Sequence, residues 1–96
     1  MWRAGDTVID VRTADEYALG HIAGALNVPI DTLPLAAGGL PPGPVITTCS
    51  LGGRAGRAAD LLDLTGRTAF SIAGGVKAWQ AAGLPVRSGP EPGRRR

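Results

Sequence analysis

Apolar residues along this chain come in short runs, each closed by turn-forming residues. Thr7-Val8-Ile9-Asp10-Val11 is β-branched and predicts a buried strand. Thr13 with Glu16 three positions later forms a capping box, which predicts a helix start there and a stop at Gly20. Ala25-Leu26-Asn27-Val28 predicts a second strand, ended by Pro29. The stretch 30–44 is turn-rich. Asp31 is expected to cap a short helix through Leu35 and Ala36, with Pro34 in its first turn. Val45-Ile46-Thr47-Thr48-Cys49 predicts the third and clearest strand. Over residues 54–64, Ala55, Ala58 and Leu62 recur at the spacing of a buried helical face, with Ala59 and Leu61 beside them and Gly66 as the stop. Thr68-Ala69-Phe70-Ser71-Ile72 predicts a fourth strand, and residues 76–82 a last helix stopped by Gly83. Pro85 is expected to end the ordered core. The division predicted is a domain over 1–87 and a disordered Pro/Gly/Arg tail over 88–96.

Strands alternating with helices predict the α/β class: a small parallel sheet of four to five strands, in three layers with helices on both faces. Such sheets bind ligands beyond the carboxyl ends of their strands. Cys49 stands at one such end.

Composition narrows the choices. The 96 residues suit one small domain, and with 44% apolar but only 4% aromatic residues its core must be aliphatic. The net charge of +2 leans on Arg94, Arg95 and Arg96, without which the chain is slightly acidic. No basic stripe lies on a predicted element, so nucleic acid is not expected as a partner. The single cysteine allows neither an internal disulfide nor a multi-cysteine metal site, and no metal is expected. The polar first residues do not resemble a signal peptide, and no apolar run is long enough to cross a bilayer. A cytoplasmic protein without a membrane partner is the expectation.

The chemistry is predicted for Cys49-Ser50-Leu51-Gly52-Gly53-Arg54. A lone cysteine ending an apolar strand is ordinarily a small buried hydrophobe. Here two glycines follow, which let the backbone wrap its amides around a centre. The loop then feeds a helix N-terminus, with its partial positive charge. Arg54 adds a full charge, and Arg57 another one turn later. Such surroundings favour thiolate over thiol and attract an anionic substrate. Taken singly, the arginines would be solvated helix residues and the glycines ordinary turn residues.

With these motifs in order, the chain resembles a rhodanese domain over about residues 7–86. The resemblance rests on Ile9-Asp10-Val11-Arg12, Glu16-Tyr17, Gly20-His21-Ile22-Ala23-Gly24-Ala25, the loop Cys49 to Arg54, and Gly74-Gly75-Val76-Lys77-Ala78-Trp79 followed by Gly83-Leu84-Pro85-Val86. It implies a sulfurtransferase in which Cys49 takes the outer sulfur of a small anionic donor such as thiosulfate. The persulfide is held by the amides of Ser50, Leu51, Gly52, Gly53 and Arg54, and the sulfur passes to cyanide, a thiol or a protein acceptor. No cofactor is implied. His21 is expected to support the fold through a hydrogen bond rather than act as a base. Asp10 and Arg12 are expected to pair beneath the loop, and Trp79 to anchor the last helix.

The alternatives are an idle rhodanese-type binding or regulatory module, and a relative of arsenate reductases or phosphatases. Those enzymes need an arginine six positions after the cysteine, where this chain has Ala55. Two departures from the family pattern stand out. Ala55 replaces a frequent serine. The family's usual first strand and helix are missing ahead of Asp10, which predicts four strands and an exposed edge along 68–72. Met1 to Arg3 or a partner is expected to cover that edge, giving a monomer or a weak homodimer.

Overall fold

The computed structural model describes residues 7–40, 43–50, 53–72 and 74–91. A parallel sheet is built from β1 (Thr7–Asp10), β3 (Leu26–Asn27), β4 (Val45–Thr48) and β5 (Ala69–Ser71), in the order β3-β1-β4-β5. β1 and β4 lie at the centre, with Ile9 opposite Thr47 and Asp10 opposite Thr48. Every residue of both strands is buried, as a two-sided parallel sheet requires.

Alternation along these strands feeds two cores. Ile9, Val11, Val45 and Cys49 face Leu33 of α2 (Leu33–Ala36) and Ala55, Ala58 and Leu62 of α3 (Gly53–Leu64). Val8 and Ile46 face Val76 and Trp79 of α4 (Gly75–Ala81) on the opposite side. This is the three-layer α/β architecture. The small side chains along α3 let it settle close to the sheet, which suits a core with few aromatics.

The capping box forms as expected. Thr13 caps α1 (Ala14–Leu19), its side chain accepting from Glu16 N while Glu16 accepts from Thr13 N. Asp31, by contrast, does not stand at the cap position of its turn. It lies inside a 3-10 turn, Ile30–Thr32, whose cap position is Pro29, with no side-chain cap bond. That turn runs straight into α2, with Leu33 N donating to Ile30 O.

The ordered chain also runs past Pro85. Val86–Arg87 forms β6, antiparallel to β2 (His21–Ile22), and Gly89 N donates to Ala18 O at 2.7 Å. Two-residue strands carry no alternation to read, and His21-Ile22 follows a helix-stop glycine that masks it. Of the parallel strands, β5 forms one edge and β3 the other, and Phe70 on β5 is exposed. Met1 to Arg3, expected over that edge, lie outside the described residues, as do 92–96 of the expected tail.

Candidate active site

β4 delivers Cys49 to the carboxyl end of a central strand, one residue past its last paired position. The residue is 2% exposed. Its Sγ accepts a hydrogen bond from Ala55 N at 3.3 Å, an amide in the first turn of α3. The chain therefore leaves the strand, loops, and returns a helix N-terminus onto its own sulfur. An amide so aimed stabilises negative charge on sulfur. Thr47 steadies this return, its Oγ1 donating to Ala55 O at 2.7 Å. Position 55 thus acts through its backbone. Ser50 is half-buried, while Leu51 and Gly52 lie outside the described residues.

The loop's first carbonyls are taken up by the start of α4. Val76 N donates to Cys49 O at 2.7 Å, and Lys77 N to Ser50 O at 3.2 Å. A trans peptide places each N–H opposite the preceding carbonyl, so Ser50 N–H points away from α4. This contact explains the glycine that opens α4. Gly75 has φ +60°, and a Cβ there would lie 2.1 Å from Cys49 O. From the sequence Gly74-Gly75 reads as a turn and a motif. Its role as the seat of the cysteine loop has no local signal, because the contact spans 26 positions.

Arg54 supplies the expected charge near Cys49, and that charge is also paired. Its guanidinium grips Glu16 in a fork, Nη1 to Oε1 at 2.8 Å and Nη2 to Oε2 at 3.0 Å. One carboxylate thereby caps α1 and fastens the loop's far end to it. These hydrogen bonds from Arg54, then that from Thr13, hold the Glu16 carboxyl down at about 2. The same pairing raises Arg54, and the Cys49 charge adds to that rise. Arg57 is exposed one turn along α3. The sequence singles out Glu16 as a cap; its second duty lies in a contact 38 positions away.

Beneath the loop, Asp10 is fully buried and accepts from Arg12 Nε at 2.9 Å and Nη2 at 2.7 Å. Arg12 Nη2 also donates to Gly20 O at 2.6 Å. Asn27 Nδ2 bonds the backbone oxygens of Asp10 and Arg12, tying this corner to β3. His21 is fully buried, stacks on Tyr17 with ring centroids 3.7 Å apart, and its Nδ1 donates to Tyr17 O at 2.9 Å. The Tyr17 hydroxyl donates to Ala25 O, and burial, then Asp10, pushes it up to about 12. Trp79 Nε1 donates to Pro85 O at 2.7 Å, pinning the segment that leads into β6.

A cleft of about 210 Å³ adjoins the loop at Ser50. α1 contributes Glu16 and Leu19 to it, α4 contributes Lys77 and Gln80, and Arg12 also lines it. Among the described residues no cluster of three or more His, Cys, Asp or Glu is arranged to hold a metal ion, and no helix is long and apolar enough to cross a membrane.

A strand-end cysteine, a loop returning to a helix N-terminus and a second helix seated on the loop carbonyls define a class: α/β domains that present one thiol in a backbone cradle. Within it, the chain belongs to the rhodanese-like domain family, whose model matches residues 1–82. It is 34% identical to the chloroplastic thiosulfate sulfurtransferase 16 of Arabidopsis thaliana, over 88% of this chain and 82% of that protein. It is 32% identical to a sulfurtransferase of Allochromatium vinosum, over 82% and 76% of the two chains. Among solved structures it resembles a rhodanese-related protein of Thermoplasma volcanium, with a TM-score of 0.81 and 31% identity, covering 90% of this chain and 85% of that one.

Proposed function

We propose that this protein is a cytoplasmic sulfurtransferase that moves a sulfane sulfur from thiosulfate, or a similar small anionic donor, to a thiophilic acceptor through a persulfide on Cys49. The observation that carries this reading is the Ala55 N–H aimed at Sγ, at the carboxyl end of a central strand. In the first half-reaction the Cys49 thiolate attacks the outer sulfur of thiosulfate. The new S–S bond forms as the donor's S–S bond breaks, and sulfite leaves with the electron pair. In the second, cyanide or a thiolate attacks the outer sulfur and Cys49 leaves as thiolate. In each step the attacking group brings one electron pair and the leaving group takes one away, so the cycle requires neither metal nor organic cofactor. The Ser50 amide, facing away from α4, and the amides of Gly53 and Arg54 in α3's first turn are the donors assigned to the persulfide anion, together with those of Leu51 and Gly52.

Two observations favour a second reading, a binding or regulatory module with an idle thiol: Cys49 is almost fully buried, and Arg54 is committed to Glu16. A thiosulfate:cyanide assay separates the two. The sulfurtransferase produces thiocyanate, and Cys49→Ser abolishes it. Equal background turnover in both proteins assigns the chain to the binding class. Turnover of arsenate or an aryl phosphate, lost in Cys49→Ser, would instead favour the phosphatase-like alternative.

A further inference from the structure

The cleft beside the loop carries a charge pattern of its own. Arg12 spends its charge on Asp10, and Glu16 spends its charge on Arg54. Lys77 is exposed, lines the same cleft, and has no ion-pair partner among the described residues. The cleft therefore presents one uncompensated positive charge. Gln80, one turn further along α4, adds an amide, and Leu19, at 86% exposure, adds an apolar lip from α1. At about 210 Å³ the space lies below the range of drug-sized ligand pockets, yet it is larger than cyanide requires. It opens against Ser50, next to the reacting cysteine.

We propose that this cleft receives the sulfur acceptor, and that the acceptor is a small thiol carrying a carboxylate, recognised by the Lys77 ammonium. This rests on the sulfurtransferase reading of Cys49. The carboxylate sits at Lys77 and Gln80, the hydrocarbon stem lies along Leu19 and Val76, and the thiolate faces the loop. Its attack on the outer persulfide sulfur forms a new S–S bond and breaks the bond to Cys49 Sγ. The acceptor leaves as a persulfide and Cys49 as a thiolate, with no external oxidant or reductant. Arg12 and Glu16 shape the cleft without contributing net charge.

The test loads Cys49 with thiosulfate, removes the donor, and follows discharge by 3-mercaptopropionate and by 2-mercaptoethanol, thiols of similar size that differ in the carboxylate. Their rate ratio in the wild type is the reference, which cancels intrinsic thiol reactivity. Lys77→Gln is expected to lower the ratio roughly 1.5-fold to fivefold, the range of a solvent-exposed ion pair. Lys77→Glu lowers it further, Lys77→Arg restores it, and added salt lowers it in the wild type. A ratio unchanged in Lys77→Gln and Lys77→Glu overturns the proposal. A second arm needs no turnover: propionate titrated into Cys49→Ser should shift the amide resonances of Lys77, Gln80 and Ser50, and the shifts should vanish when Lys77→Glu is added. Absence of those shifts likewise overturns it. If no persulfide forms but propionate binds, the reading of Cys49 has failed and the anion site has survived.

Discussion

Two ion pairs flank the cysteine loop, and they differ in every physical respect. Asp10–Arg12 lies beneath the loop with side-chain exposures of 0% and 8%. Its partners are two positions apart, and Arg12 also holds Gly20 O. Glu16–Arg54 lies at the loop's far end with exposures of 37% and 39%, and joins α1 to α3 across 38 positions. The first pair is isolated from water, so losing one partner strands a charge. The second is solvated, so losing one partner frees a side chain. The buried pair is therefore scaffold, and the solvated one an adjustable clasp.

Breaking the buried pair has the largest expected effect. Arg12→Met leaves the Asp10 carboxylate unpaired in the interior and should cost roughly 3–5 kcal/mol of stability by chemical denaturation. A loss below about 1 kcal/mol would mean that water reaches Asp10. Gly75→Ala comes next. It forces an L side chain into left-handed backbone and drives a methyl into Cys49 O, at a cost of roughly 1–3 kcal/mol for the strain before any clash. Because the contact is with the loop, sulfur transfer should fall further than global stability does. Equal losses in both would show that Gly75 serves only to turn the chain.

The smallest effect is expected at the clasp. Glu16→Gln should cost only about 0.2–1 kcal/mol, given the solvation of the pair. Its pH dependence has a definite sign. Pairing with Arg54 holds Glu16 below its ordinary 4.5, so its contribution is complete above pH 4.5 and is lost as the pH falls through the lowered folded value. The stability difference between wild type and Glu16→Gln should therefore be flat from neutral pH down to 4.5 and shrink below it. A difference that changes between pH 5 and 8 would assign the clasp to another group.

The same contrast explains what could be read from the sequence. Asp10–Arg12, the capping box and the β-branched strands are local, with partners within a few positions, and their patterns are visible in the chain. The family motifs place Cys49 at its strand end. Contacts between distant segments leave no such trace. Arg54 reads as a charge near the cysteine, but its pairing with Glu16 has no local signal, and Gly75 reads as a turn but seats the loop. β2 and β6 are too short for any periodicity, so Pro85 looks like the end of the ordered chain. Asp31 has the chemistry of a cap, but it lies inside a 3-10 turn whose cap position is Pro29.

The central claim is that Cys49 accepts and holds a sulfur atom in its backbone cradle. Intact mass measured after incubation with thiosulfate tests it directly. The account predicts a gain of one sulfur atom that cyanide removes and that Cys49→Ser does not acquire. An unchanged mass in the folded wild-type protein, with Cys49 still a free thiol, would contradict it.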